Sequence, residues 1–103
     1  MLNDKVKTLI GFAKKSGNLV SGEQSCRIEV KKKPSLIIVA SDASENTKKI
    51  FQNKSKYYDV PLIYKSTKDE IGRVIGSPSR AVIIIKDKNL ATKILEIIEN
   101  DAT

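Results

Sequence analysis

Histidine is absent from the 103-residue chain, and cysteine occurs once, at Cys26. Without histidine there is no side chain that ordinarily shuttles protons near neutral pH, and one cysteine can neither close an internal disulfide nor anchor a metal cluster. No cofactor is therefore expected. No apolar run approaches the roughly 18 residues of a membrane span, and the start Met1-Leu2-Asn3-Asp4-Lys5 lacks the basic-then-apolar order of a signal peptide. No membrane partner is expected, and the default location is the cytoplasm. Aromatic residues make up only 5% of the chain, which argues against a broad stacking platform for single strands. Neither a GxxxxGK loop nor a GxGxxG turn is present, so the common nucleotide-binding fingerprints are missing.

What is plentiful is positive charge. Nineteen Lys and Arg against twelve Asp and Glu give a net charge of +7 and a pI near 9.6. Such a balance favours a polyanionic partner, with nucleic acid first, although a lysine-rich surface also serves solubility alone. The excess runs from Lys5 to Arg80. Beyond Asn89 the sign reverses, with Glu96, Glu99 and Asp101 against Lys93, so the last helix is expected to face away from such a partner.

Taken in order, apolar residues at Leu2, Val6, Leu9, Ile10 and Ala13 recur at helical spacing over Asn3 to Lys15. Asn3 can cap this helix and Ser16-Gly17 can end it. Leu19-Val20 reads as a short strand. The next segment is ambiguous: Cys26, Ile28 and Val30 alternate as in a strand, whereas Ser21 and Gln24 fit a capping box and place Cys26 and Val30 one turn apart. The cap decides for a helix. It ends in Lys31-Lys32-Lys33, cations suited to a helix C-terminus, and is stopped by Pro34.

Leu36-Ile37-Ile38-Val39-Ala40 is a continuous apolar run, the pattern of a central strand covered on both faces. Asp42 or Ser44 caps a helix with Thr47, Ile50, Phe51 and Lys54 at helical spacing, continuing to Tyr57 and Tyr58. Val60-Pro61 leads into the strand Leu62-Ile63-Tyr64. Thr67 with Glu70 offers another capping box, for a helix with Ile71, Val74 and Ile75 on one face. Gly76 to Arg80 is a loop by composition, and few of its residues can be buried. Ala81 to Ile85 is a second continuous apolar strand, and Leu90, Ile94, Leu95, Ile97 and Ile98 give the last helix its buried stripe. Helices and strands alternate throughout, without repeat or linker. One domain over residues 1–103 is expected, an α/β sandwich around a mostly buried sheet of four strands.

Two edges of this fold can carry binding chemistry: the Ser21 to Arg27 corner and the Gly76 to Arg80 loop. A helix start leaves N–H groups unpaired and can receive an anion or base edges, but a capping box explains Ser21 and Gln24 without any ligand. Asp42 and Glu45 could act as a carboxylate pair in a small-molecule enzyme, yet their spacing is that of a cap and a first turn. Catalytic residues are accordingly not assigned. A protein-interaction module of ribosome assembly or translation is a further alternative.

The order of four blocks carries a resemblance: Leu19 to Arg27, Leu36 to Ala43, Val60-Pro61, and Lys65 to Gly76. Together they resemble the ribosomal-protein family named L-seven-Ae and L-thirty-e, whose members bind kink-turn RNA, and within it the small bacterial YlxQ-type branch. The resemblance implies a three-layer α/β/α sandwich with a central mixed sheet that grips a sharp bend in duplex RNA, reading tandem sheared G·A pairs. It implies that Gly22, Glu23, Gln24 and Arg27, beside Ser21, form the reading corner and that Lys68 sits near the backbone. Ser77, Pro78, Ser79 and Arg80 would form a loop packing on an extruded nucleotide, with Asp42 beside the corner. Family members usually have Asn or Lys where this chain has Glu23. The implied partner is a structured RNA, ribosomal or messenger; the sequence leaves the oligomeric state open, with a monomer favoured.

Overall fold

In the computed structural model, which describes residues 2–101, the elements follow one another as the alternation implies. They are α1 (Asp4–Lys15), β1 (Leu19–Ser21), α2 (Glu23–Glu29) with a 3-10 turn (Val30–Lys32), β2 (Leu36–Val39), α3 (Glu45–Tyr58), β3 (Leu62–Tyr64), α4 (Lys68–Val74), β4 (Val82–Ile85) and α5 (Lys88–Asp101). The sheet order is β1-β4-β2-β3. It is mixed: β4 runs antiparallel to both its neighbours, pairing Val20 with Ile84 and Ile37 with Ile84, while β2 and β3 are parallel, with Ile38 opposite Ile63.

The two continuous apolar runs occupy the two central positions. Every residue of β2 and of β4 is fully buried, because helices cover both faces. On one face α1 packs against β1, α4 and α5, and α5 against β4; on the other, α2 packs on β1 and β4, and α3 on β2, β3 and the 3-10 turn. The result is a three-layer α/β/α sandwich whose core includes Ile10, Val30, Ile38, Phe51, Ile71, Ile84 and Ile94.

Most helix starts use the caps that the sequence supplies. Asn3 accepts from the Val6 amide at 2.8 Å, Ser44 from Thr47 at 3.1 Å and Thr67 from Glu70 at 3.1 Å. Ser44 rather than Asp42 therefore caps α3. The Thr67 box is only half formed, because the Glu70 carboxylate turns inward to accept from the Leu2 amide at 3.1 Å and from the Ser66 hydroxyl.

The expected Ser21–Gln24 capping box does not form. Ser21 is the last residue of β1, opposite Ile83, and the N-cap of α2 is Gly22, which makes no side-chain cap bond. Pairing with β4 has claimed Ser21 for the sheet. The chain then turns at φ 92°, ψ 149°, a conformation open to glycine and strained for serine. The helical reading of Cys26 to Val30 nevertheless holds, with a tightened 3-10 end that closes on Lys33 in the left-handed region.

Candidate nucleic-acid interface

The sheet register brings the separated sequence blocks to one pole of the molecule. β1, β2 and β3 end there and antiparallel β4 begins there, so four connections meet: β1 to α2, β2 to α3, β3 to α4, and α4 to β4. Backbone hydrogen bonds lace them together. The Gly22 amide donates to Val82 at 3.0 Å, Ala40 to Ala81 at 2.8 Å, Ser41 to Ser66 at 2.9 Å and Arg80 to Lys68 at 3.0 Å. Asp42, outside any helix, accepts from the Lys68 amide at 2.9 Å and so ties the β2–α3 loop to the first turn of α4.

At the corner itself, Glu23 lies in the first turn of α2, where a carboxylate is favoured by the helix dipole. Its Oε1 accepts from the Thr47 hydroxyl at 2.6 Å, and Oε2 lies 3.9 Å from the Arg27 guanidinium. Thr47 in turn is held by Ser44, whose hydroxyl donates to Thr47 Oγ1 at 3.0 Å. A relay from Ser44 through Thr47 to Glu23 thus locks the starts of α2 and α3 together. Gln24 and Arg27 remain exposed on the outer side of α2, Gln24 with its amide free among the described residues. An amide both donates and accepts, as reading a base edge requires, and a guanidinium can pair with phosphate.

Thr47 is the residue that sequence reasoning placed only as a helix position. Its contact spans 24 residues, and no local pattern signals it.

The Ser77, Pro78, Ser79 and Arg80 loop stands exposed to half-exposed, but it is tied at both ends: the Ser77 amide donates to Gly72 at 2.9 Å and the Arg80 amide to Lys68. It lies flat on α4. A Cβ added at Gly72 would stand 2.3 Å from the Pro78 carbonyl oxygen, so this mid-helix glycine is what allows the close approach. Lys68 at the start of α4 is exposed, and its ammonium has no ion-pair partner among the described residues; Lys65 is likewise unpaired. Among the described residues Arg80 reaches only the neighbouring Ser79 carbonyl, at 3.1 Å.

The remaining candidate chemistry is spoken for elsewhere. Asp42 and Glu45 serve separate duties, Asp42 toward α4 and Glu45 toward Lys48 at 3.8 Å. Cys26 is fully buried, and burial, assisted by the Glu29 carboxylate, pushes its thiol up to about 12, far from a reactive thiolate. No group of three or more potential metal ligands occurs among the described residues.

Residues 4–96 match the sequence profile of the Ribosomal protein L7Ae/L30e/S12e/Gadd45 family. The chain belongs to this family. Among its relatives, the RNA-binding protein YlxQ of Enterococcus faecium is 42% identical over 96 residues, which cover 92% of each chain. The RNA-binding protein YlxQ of Bacillus subtilis (strain 168) is 32% identical over 92 residues, 88% of this chain and 92% of its own. A solved structure, that of a Bacillus halodurans protein of unknown function, superposes with a TM-score of 0.88 at 31% identity and covers 94% of this chain and 99% of its own. Family membership and fold agree over nearly the whole length.

Proposed function

We propose that this protein binds structured RNA, gripping a kinked duplex at the pole where the Glu23 corner, Lys68 and the Ser77 to Arg80 loop converge. That convergence is the observation that carries the reading, and the relatives named as RNA-binding proteins support it. The major groove of an A-form helix is too deep and narrow for side chains, so a protein that meets the RNA at a bend gains access to base edges that a straight stem denies. Gln24 and the Glu23–Arg27 pair face that opening. The ammonium of Lys68 and the guanidinium of Arg80 neutralise phosphates on either side, and the loop, held flat on α4, packs its exposed Pro78 and Ser79 against an extruded nucleotide.

Sheared G·A pairs suit this corner through their exposed N–H donors, toward which the Glu23 carboxylate supplies acceptor lone pairs. On this reading the bend belongs to a ribosomal RNA or a structured messenger element in the cytoplasm, and the protein acts with the translation machinery as a binding component without a reaction of its own.

A gel shift tests the reading, using a kink-turn stem against the same stem with its G·A pairs replaced by Watson–Crick pairs. Tighter binding to the kink-turn is expected; equal binding removes the shape-reading role of the corner.

A second reading, docking of a protein partner in ribosome assembly, is favoured by one feature. Between α1 and α5 runs an open groove of about 560 Å³ floored by Leu9 and Ile97, and Phe12 on α1 is 56% exposed. A partner there would leave RNA binding at the opposite chemistry intact, so Leu9→Lys should abolish that association without altering the gel shift.

A further inference from the structure

Helix α3 carries four lysines against one carboxylate, Glu45 in its first turn, which pairs with Lys48 at 3.8 Å, and Asp59 follows at its C-cap. A lysine-rich face selected for solubility ordinarily interleaves both signs, and a cation serving the helix dipole sits in the last turn. Lys56 meets the second description, but Lys49, in the body of the helix, does not. Lys49 and Lys56 are seven residues apart and so lie in one row on the exposed side, flanked by the exposed amides of Gln52 and Asn53. None of these four side chains has a hydrogen bond or ion pair among the described residues.

At the far end of the same face stands an aromatic ring. Tyr57 is 80% exposed, the most exposed of the large apolar side chains, yet it is not loose: its ring meets that of half-buried Tyr58 edge to face, with centroids 4.8 Å apart and planes at 82°. A ring held on a neighbour and open to solvent is a prepared surface for a flat partner. The low aromatic content of the chain rules out a broad platform, but not one ring at the end of a basic row.

The helix that bears the row starts at the corner: Thr47, buried on the inner side of its first turn, donates to Glu23. From Thr47 to Tyr57 the helix advances about 15 Å at roughly 1.5 Å per residue. Cations along a track with an aromatic on which a base can stack are the two elements of sequence-tolerant single-strand binding.

We propose that the outer face of α3 is a second RNA-contact surface, on which Lys49 and Lys56 hold the backbone of a single strand leaving the corner and Tyr57 stacks on one of its bases. This deepens the RNA-binding reading and rests on it. Charge complementarity and continuity with the corner commit the face to this occupant.

The test uses the full chain and two RNAs: a blunt kink-turn stem, and the same stem with a single-stranded uridine tail of roughly ten nucleotides, within the usual site size for such tracks, placed in turn on each strand end. Because the protein has no tryptophan, Tyr57→Trp introduces a unique fluorophore. Its emission should be quenched by a tailed RNA and not by the blunt one. Tyr57→Ala should weaken binding of the tailed RNA roughly 5- to 150-fold. Lys49→Ala with Lys56→Ala should reduce its salt slope by about 1.4, the value for two single-strand phosphate contacts. Binding of the blunt stem should be unchanged by all three variants, whose surface positions leave the fold intact by circular dichroism. If the wild type holds the blunt stem but gains nothing from either tail, and the tryptophan emission stays constant, the α3 surface is overturned while the corner stands. An acidic peptide that quenches the tryptophan when the tails do not would likewise overturn it in favour of a protein partner. If the wild type binds neither RNA, the corner reading falls and this surface with it.

Discussion

The hydroxyl of Thr47 donates to the carboxylate of Glu23 at 2.6 Å, joining the first turn of α3 to the first turn of α2. Glu23 is therefore not simply a charge at a helix start; it bonds to the start of the neighbouring helix and lies 3.9 Å from Arg27.

Removing either partner should be felt by the other. Thr47→Val leaves the carboxylate without its donor and Glu23→Ala leaves the hydroxyl without its acceptor, so a double-mutant cycle on stability should show a coupling of about 0.5–3 kcal/mol. For RNA, Glu23→Gln keeps the shape and one acceptor oxygen but loses the charge. It should lower the preference for a kink-turn over a plain stem by roughly 1–3 kcal/mol, as for a lost base-reading contact. An unchanged or improved ratio in the gel shift would leave Gln24 and Arg27 to read the corner.

Lys68 should act through charge alone. Lys68→Ala is expected to weaken binding to kinked and straight RNAs alike and to flatten the dependence of log K on log salt by about one unit, one phosphate contact. A slope equal to that of the wild type would take Lys68 out of the interface.

Gly72 supplies a prediction whose sign runs against helix propensity. Alanine in a helix interior is ordinarily better than glycine by about 0.5–1 kcal/mol. Here the added methyl meets the Pro78 carbonyl at 2.3 Å, and the neighbour is backbone rather than a pliable side chain. Gly72→Ala should therefore destabilise the fold by about 1–3 kcal/mol through overpacking. It should also speed hydrogen exchange at the Ser77 and Arg80 amides, which the close approach keeps bonded. A more stable variant with unaltered exchange would show that the loop yields freely.

Glu70 makes stability depend on acid. Burial works to raise this carboxyl, but hydrogen bonds from the Ser66 hydroxyl and the Leu2 amide, with the Lys7 ammonium 3.6 Å away, more than offset it and hold it below its ordinary range. A depressed carboxylate contributes stability that is complete above its unfolded value of about 4.3 and is lost as pH falls through the lower folded value. Urea denaturation should thus find the wild type more stable than Glu70→Gln by about 1–3 kcal/mol at neutral pH. The gap should close below about pH 4. A gap independent of pH would mean that the charge contributes nothing.

How much of this was legible in the sequence depends on how far each determinant reaches. Leu36 to Ala40 and Ala81 to Ile85 announce buried central strands because burial on both faces demands apolar residues without alternation. Asn3, Ser44 and Thr67 announce helix starts because a cap acts within three residues. Ser21 has the same local credentials and does not cap, since its fate is set by a strand partner at Ile83, far along the chain. Glu23 is visible as a charged residue at a corner, but its tie to Thr47 is tertiary. The closeness of Gly72 to Pro78 belongs to the same class. The sequence blocks indicate which segments form the pole, and packing decides what each side chain holds.

The position of β4 bears on when the protein becomes competent during synthesis. The last of the four described strands, β4, is inserted between β1 and β2, the first two, and both of them lean on it for their antiparallel pairing. Until Ile85 has cleared the ribosome, β1 has no sheet partner, and only the β2–β3 pair can close. Contacts between such distant segments are the slow part of folding. The Gly22 and Ala40 amides find their acceptors only at Val82 and Ala81, so the corner is assembled in the same event. In a nascent chain the corner therefore takes shape only once β4 has emerged, however early its own residues were made.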